Sequence, residues 1–570
     1  MVPSLPCLRR PGKDHPAQRR PWSVRGRVGC LAVVTAGLLA AGLCAQWVYS
    51  HLQDTGVSLG RQAVRFADPT SVVASVFVSD EEHDAAMVKV ARGKTLCHPD
   101  ADPPGWRPRC RVLMAYENFA GRISKEDYDK AFKAADLTYK LVDKPGWIFQ
   151  KYTPQMAWDP EAVTVDTYQK IKFHHQNYGE IRLWPLAAWA VCARQERSLA
   201  EVEGEPSAHL DVIREELYQY ASFIEYALKE LEAFRPDVVI VAQGHYHYGA
   251  GFRAAAILQG LNVVALETPI NNRRLVWSTM SGISVDRGVE RNLYWRYVEF
   301  VKADIAQAEV AKYLGRAKQS KMMVHASPTN TDELDAWLAD KPRGKRIVAY
   351  LAQVYTDTAV ILNLGQGFTS QAHVIWTVAQ WAVEHRQPLI IKFHPRETPP
   401  KDLLPIYGPR LNHLTLRRLR EVYAWEELVN QNKDILLMDN ANSLDTYAII
   451  DAADTVVTIN SGTGLEALIK GREVVLAGNA YYGGLGFTHH TPGPDILRHT
   501  LTEVSSNQAA KLNDKDGVAK FFYIFNKWAT VPKRAGAVVD RACGFPGRWP
   551  MPKSQFCDDG SDDEDLGTMV

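Results

Sequence analysis

Residues 454–488 read DTVVTINSGTGLEALIKGREVVLAGNAYYGGLGFT and decide the fold. Thr455-Val456-Val457-Thr458-Ile459 is a short β-branched run suited to a buried parallel strand, and Asn460-Ser461-Gly462-Thr463-Gly464 turns from it directly into the helical pattern Leu465-Glu466-Ala467-Leu468-Ile469. The helix N-terminus therefore faces whatever lies over the carboxyl end of the strand. Its unpaired N–H groups and dipole favour an anion there, and two small hydroxyls (Ser461, Thr463) with two glycines (Gly462, Gly464) let a phosphate approach the backbone. Glu466, one turn into the helix, is placed to accept hydrogen bonds from ribose hydroxyls. Read alone, the same Ser461 and Thr463 also suit a simple helix cap in a βα unit.

Working outward, residues 389–396 (LIIKFHPR) form a second buried strand that ends in polar groups. Pro395 holds His394 extended, which aims its ring into the crevice beyond the strand end, where open α/β sheets bind ligands. Further strands are expected at 347–351, 434–438 and 473–476, with helices between them. Such alternation predicts a parallel sheet covered on both faces. The first half repeats the theme with a strand at 111–116, helices at 128–139 and 212–234, a strand at 236–241, a glycine-rich loop at 243–251, a helix at 252–259 and a strand at 262–266. Two readings stay open for the aromatic-rich stretch 147–194 (Trp158, Tyr168, His174, His175, Trp184, Trp189): core packing or a sugar-acceptor platform. His245 and His247 alternate, yet no carboxylate or third ligand falls at metal spacing, so they read as loop histidines or as polar groups of an acceptor site.

Taken together, the segments at 389–396 and 454–488 resemble the capsule polysaccharide synthesis family, whose characterised members are retaining β-Kdo transferases that use CMP-Kdo. The carrying motifs are KxHP (Lys392 to Pro395) and the run from Asn460 to Thr488, where Phe487 replaces the family's usual leucine. Gln353-Val354-Tyr355-Thr356-Asp357 is similar to the family's Gln-x-x-x-Asp segment. Leu266-Glu267-Thr268-Pro269, with Trp277 and Gly282, is similar to its strand-end glutamate and the turn that follows. The resemblance spans roughly residues 235–488. It implies an α/β, GT-B-like pair of Rossmann-type domains facing a cleft, with a nucleotide-sugar donor and a glycan or polysaccharide acceptor. It also implies that His394, Ser461, Gly462 and Thr463 contact the donor phosphate, that Lys392 and Arg396 offset the charge of departing CMP, and that Glu466 holds the ribose. Asp357 takes the place of the nucleophile and Glu267 that of the acid/base. No metal is then needed, in keeping with the lack of a DxD cluster near the loop. Without the resemblance, Asp357 reads as a helix N-cap and Glu267 as a structural ion-pair partner.

A chain of 570 residues with 46% hydrophobic composition has room for two or three domains. Its net charge of +1 argues against a general nucleic-acid binder. The one basic cluster, Arg9, Arg10, Lys13, Arg19, Arg20, Arg25 and Arg27, precedes an apolar run at 28–48 long enough to span a bilayer. The run reads as a signal anchor (28–49) behind a cytoplasmic tail (1–27), with a cleaved signal peptide as the rival reading, and the positive flank puts a stem (50–100), the first domain (101–340), the second domain (341–535) and a tail (536–570) on the far side. A lumenal enzyme with an imported nucleotide-sugar donor is a type II Golgi protein; the bacterial inner membrane is the other placement. Beyond the anchor, Cys97 with Cys110 and Cys543 with Cys557 are spaced for small disulfides, which leaves Cys192 over. Two other activities suit the same motifs: a CDP-alditol phosphotransferase of this fold, and a non-catalytic, membrane-tethered nucleotide- or glycan-binding protein.

Overall fold

A computed structural model describes residues 110–544 apart from 118–122, 145–158, 268–273, 279–287, 321–330, 343, 398–411, 431, 439–445, 510–511 and 513. The anchor segment 28–49, Cys97 and Cys557 lie outside these residues, as do Thr268, Pro269 and Gly282. No helix among the described residues is long and apolar enough to cross a membrane.

Two six-stranded sheets organise the described residues. The first contains β1 (Arg111–Tyr116), β2 (Thr138–Asp143), β5 (Val238–Ala242), β6 (Asn262–Glu267), β7 (Arg274–Ser278) and, from the far end of the chain, β14 (Thr530–Pro532), in the order β14-β7-β6-β5-β1-β2. Its first four strands are parallel, while β7 and β14 add antiparallel at one edge. A short hairpin, β3 (Lys172–His175) and β4 (Gly179–Arg182), stands apart. The second sheet is wholly parallel: β8 (Val348–Leu351), β9 (Leu389–Lys392), β10 (Ile435–Met438), β11 (Thr455–Thr458), β12 (Glu473–Leu476) and β13 (His489–His490), ordered β10-β9-β8-β11-β12-β13. That order is the doubly wound one, whose direction reverses between β8 and β11 and opens a crevice there.

The β-branched cores of these strands explain their burial. Val239, Ile240 and Val241 in β5, and Val456 and Val457 in β11, are fully enclosed between helices on both faces. The helix Leu210–Phe234 buries Ile213, Leu217, Tyr220, Ile224, Leu228 and Leu231, the spacing that predicted it. It stops where Arg235 takes a left-handed conformation (φ 54°).

Three expectations give way. The first helix is Lys125–Ala134, and Tyr139 lies in β2, because Asp136 at φ 52° breaks the helix between them. Glycines at 249 and 251 do not mark a loop. They lie inside the helix His247–Gln259, where a Cβ on Gly249 would meet Ala242 O at 2.7 Å and one on Gly251 would meet the Phe223 Cβ at 2.7 Å. The boundary at 535 and a tail from 536 also fail. The helix Lys515–Trp528 packs against Ala303–Ser320, the chain then crosses back to pair β14 with β7, and the helix Ala535–Gly544 buries Ala535, Val538 and Val539 against Cys110, Val112, Phe132 and Leu266 of the first half.

Candidate active site

Three loops of the second half meet beside the crevice between β8 and β11. After β8, the buried Gln353 side chain donates to Asn460 Oδ1 (2.8 Å) and accepts from the Asn460 backbone N–H (3.1 Å), while Asn460 Nδ2 donates to Ala359 O (2.7 Å). Two buried amides thus lock the loop after β8 to the loop after β11. Gln371 holds the other side of Gln353, accepting from its N–H (2.9 Å) and donating to its carbonyl (2.8 Å). Asp357 caps the helix Thr358–Asn363, its Oδ1 accepting from Ala359 N–H at 2.8 Å. The cap and the strand-end placement coexist in one residue.

Lys392 ends β9 and is buried, whereas Arg396 is exposed. His394 lies half-buried between them, and its Nδ1 accepts from Arg396 N–H (3.1 Å). In the neutral ring this leaves the proton on Nε2, a hydrogen-bond donor on the ring's far side. Glu397 closes the turn. Its carboxylate, 1% exposed, accepts from Tyr355 N–H (2.8 Å), Thr415 N–H (2.8 Å) and Thr415 Oγ1 (2.9 Å). Burial pushes this carboxyl up to about 7, against the hydrogen bonds from Thr415 and Tyr355 that favour its charged form.

After β11, Ser461 is the N-cap of the helix Gly462–Ile469. Its Oγ accepts from Thr463 N–H (3.3 Å) and Thr463 Oγ1 (2.8 Å), and the Tyr482 hydroxyl donates to its carbonyl (2.5 Å). Ser461, Gly462 and Thr463 are all half-buried at the crevice. Glu466 points into the core side of this helix, 2% exposed, with Oε1 accepting from Tyr313 (2.9 Å) and Tyr447 (2.7 Å).

The first half brings Glu267 to the carboxyl end of β6, where Gln243 Nε2 donates to its Oε2. This partner is a neutral amide, and the geometry follows from a sharp turn after β5 in which Gln243 (φ 56°) and Gly244 (φ 73°) are both left-handed. The same loop ends in Tyr246, whose ring meets Trp189 edge-on at 4.6 Å; Trp189 Nε1 donates to Thr356 O (3.2 Å), the residue before Asp357. The Tyr246 phenol is pushed up to about 12 by burial, then by the charges of Asp357 and Glu267, with Arg396 opposing. Groups from both halves therefore share one cleft.

The two halves also touch beside that cleft. Ile361, in the helix that Asp357 caps, is buried in the core of the first half. Arg418 pairs with Glu201, Arg417 with Glu196 (3.0 Å), and the Tyr355 hydroxyl donates to Glu201 (3.3 Å).

The remaining motif residues have structural partners. His247 opens its helix and pairs with the buried Glu216 at 2.5 Å; burial raises that carboxyl, but His247 and Arg194 outweigh it and hold it below the usual range. His245 is buried, with Nδ1 3.2 Å from Gln243 O. Tyr168 and Trp184 pack edge-on at 4.7 Å in the core, Trp189 reaches the cleft, and Trp158 lies outside the described residues. Cys110 is disulfide-bonded and Cys192 is a buried free thiol. Among the described residues no cluster of His, Cys, Asp and Glu is placed to hold a metal ion. Sequence reading gave no site role to Tyr246 or Glu397, held Trp189 only within the open acceptor-platform reading, and quoted Gln353 and Asn460 as motif letters without the lock they form. The signal for that lock was that Gln353 and Asn460 each stand two positions past the end of a buried strand.

Residues 301–510 match the family model described as capsule polysaccharide biosynthesis protein. The resemblance read from the motifs is thereby shown over that stretch, which includes the loops after β8, β9 and β11. No curated protein matches the chain. Among solved structures, KpsC, a beta Kdo 2,7 transferase of Thermosulfurimonas dismutans, is 17% identical, covering 52% of this chain and 78% of that one with a TM-score of 0.31. A beta Kdo 2,4 transferase KpsC of the same organism is 15% identical, covering 50% and 79% with a TM-score of 0.32. The UDP-GlcNAc 2-epimerase of Methanocaldococcus jannaschii is 11% identical, covering 73% and 99% with a TM-score of 0.29.

Proposed function

We propose that this chain, a capsule polysaccharide synthesis relative over residues 301–510, is a glycosyltransferase that moves a keto-sugar, Kdo, from CMP-Kdo to a glycan acceptor with retention of configuration. One observation carries the reading: Asp357, His394 and the Ser461 loop stand at the carboxyl ends of three neighbouring strands beside the switch point, with Glu267 brought to the same cleft from the other half.

In the proposed first step the Asp357 carboxylate attacks the anomeric carbon while the bond from that carbon to the phosphate oxygen breaks, and CMP leaves with the electron pair. The Ala359 N–H bond to Oδ1 holds the carboxylate in place. His394 Nε2–H, the Ser461–Thr463 amides, Lys392 and Arg396 would receive the phosphate and its growing charge, donors that need not reorient during the reaction. In the second step the acceptor hydroxyl gives its proton to Glu267, attacks the same carbon and returns the electron pair to Asp357. Glu466, whose Oε1 accepts from Tyr313 and Tyr447, would hold the ribose. No metal is assigned a role in either step. Segment 28–49 would anchor the chain as a type II protein in the Golgi membrane, a placement that the Cys110 disulfide supports, since such bonds persist in oxidising compartments.

The test is nucleotide release by purified residues 50–570 offered CMP-Kdo, CMP-sialic acid, CDP-glycerol and common UDP- and GDP-sugars. CMP release from CMP-Kdo, reduced at least about 1,000-fold by Asp357→Ala, is the expected result for a lost nucleophile. Turnover of CDP-glycerol that tolerates Asp357→Ala points instead to phosphoryl-group transfer, and tight CMP binding without turnover points to a binding protein.

A further inference from the structure

Tyr246 has a half-buried ring fixed on two sides. It is the N-cap residue of the helix His247–Gln259, it meets Trp189 edge-on at 4.6 Å with an interplanar angle of 82°, and it packs on His245 at 4.3 Å. Its five-residue neighbourhood spans the cleft: Gln243, three positions earlier, bonds Glu267, and Trp189, against its face, bonds the carbonyl next to Asp357. The hydroxyl itself makes no hydrogen bond to any described residue. A phenol packed on Trp189 and His245, feeling the charges of both carboxylates and making no hydrogen bond to a described residue, has its polar end available to a ligand partner in the cleft.

The donor balance of the cleft says what that partner is. Asp357 and Glu267 are acceptors, and they can satisfy sugar hydroxyls. Of the neighbouring donors in the first half, Gln243 Nε2 is spent on Glu267 and Trp189 Nε1 on Thr356 O. For sugar oxygens that only accept, namely the ring oxygen and the carboxylate of an acidic sugar, the Tyr246 hydroxyl is a donor that this side of the cleft offers. Burial and the two carboxylates keep this phenol protonated across the physiological range. Arg396, from the other half, adds the cationic counterpart whose charge the phenol feels.

We propose that Tyr246 is a specificity-determining residue that touches the transferred sugar, its hydroxyl donating to an acceptor-only oxygen of an acidic keto-sugar held between Asp357 and Glu267. This rests on the glycosyl-transfer reading above. The residue lies in the first half, outside the 301–510 match.

The experiment compares Tyr246→Phe with the unsubstituted chain, residues 50–570, in CMP release from CMP-Kdo, with thermal unfolding and calorimetric CMP binding as parallel measurements. The substitution keeps the ring and its packing on Trp189. Loss of one hydrogen bond realised on the reacting sugar predicts kcat/KM lower by about 10- to 100-fold, with CMP affinity and unfolding midpoint unchanged, because CMP binds at the opposite loop. Full kcat/KM in Tyr246→Phe while the unsubstituted chain is active sinks this inference alone. A fall in CMP affinity or in the midpoint that accounts for the lost activity also overturns it, since the hydroxyl would then be structural. An unsubstituted chain that releases nucleotide from no donor removes the transferase reading and this inference together.

Discussion

A Cβ on Gly464 would stand 2.1 Å from the Tyr482 Oη and 3.1 Å from Thr458 Cγ2. Tyr482 is fully buried and its hydroxyl is bonded to the Ser461 carbonyl, so it has nowhere to retreat. The second glycine of the SGTG loop is therefore explained by a tyrosine eighteen positions later, which fastens the helix cap from behind. Gly464→Ala should cost about 1–3 kcal/mol of stability and weaken CMP binding, as overpacking forces Tyr482 and the Ser461 turn to shift. Combining it with Tyr482→Phe, which deletes the clashing oxygen, should recover part of the loss, so the two changes couple in a double-mutant cycle of urea unfolding. Additive effects would show that the clash is relieved elsewhere. The sequence displayed this glycine as room for a ligand; the structure adds an internal tenant.

Among the elements, the loops after β8 and β9 and the start of the helix Leu414–Val422 are joined by Glu397, which accepts from Tyr355 on one side and Thr415 on the other. Its folded carboxyl stands near 7, above the ordinary value of 4.5, so the stability it contributes is present below pH 4.5 and is lost as pH rises through 7. Glu397→Gln should flatten that part of the stability–pH profile, a difference of roughly 3 kcal/mol between pH 4 and 8. It should also lower stability by about 1–3 kcal/mol at acid pH, because an amide N–H would then face the Thr415 or Tyr355 N–H. Unfolding midpoints measured across this range decide it, and parallel profiles for the two proteins would refute the assignment. Buried parallel strands were legible to within a residue or two because a β-branched run ending in polar residues has few other homes. Glu397 was not, because a carboxylate after His-Pro-Arg looks like any solvated loop residue until its three donors are seen. The helix start at His247 was hidden by Gly249 and Gly251, whose role is close approach of the helix to Ala242 and Phe223. His394 and Ser461 were singled out because strand-end position and chemistry coincide, whereas Asp357 entered through the family resemblance; Trp189 stood in an aromatic-rich background that packing alone would explain.

At the scale of the whole molecule the chain does not run as one half followed by the other. After the second sheet it returns through the helix Lys515–Trp528, adds β14 to the edge of the first sheet and ends its described part with a helix in the first half's core. A three-residue strand and a short helix carry too little periodicity to be seen in sequence, and the acidic residues further on favoured reading everything past 535 as a tail. The consequence is that the first half, and with it Glu267 and Tyr246, depends on residues near the far end of the chain. Val539 is fully buried among Val112, Phe132 and Leu266, and Leu266 immediately precedes Glu267. Val539→Asp would place a carboxylate there without a partner of opposite charge in that apolar cluster, at a cost of about 3–5 kcal/mol. The expected outcome is a lowered unfolding midpoint and loss of transfer, with CMP binding at the second half retained below the new midpoint. Expression of Val539→Asp with an unchanged midpoint would return residues 536–544 to the status of a tail and free the first half from its C-terminal return.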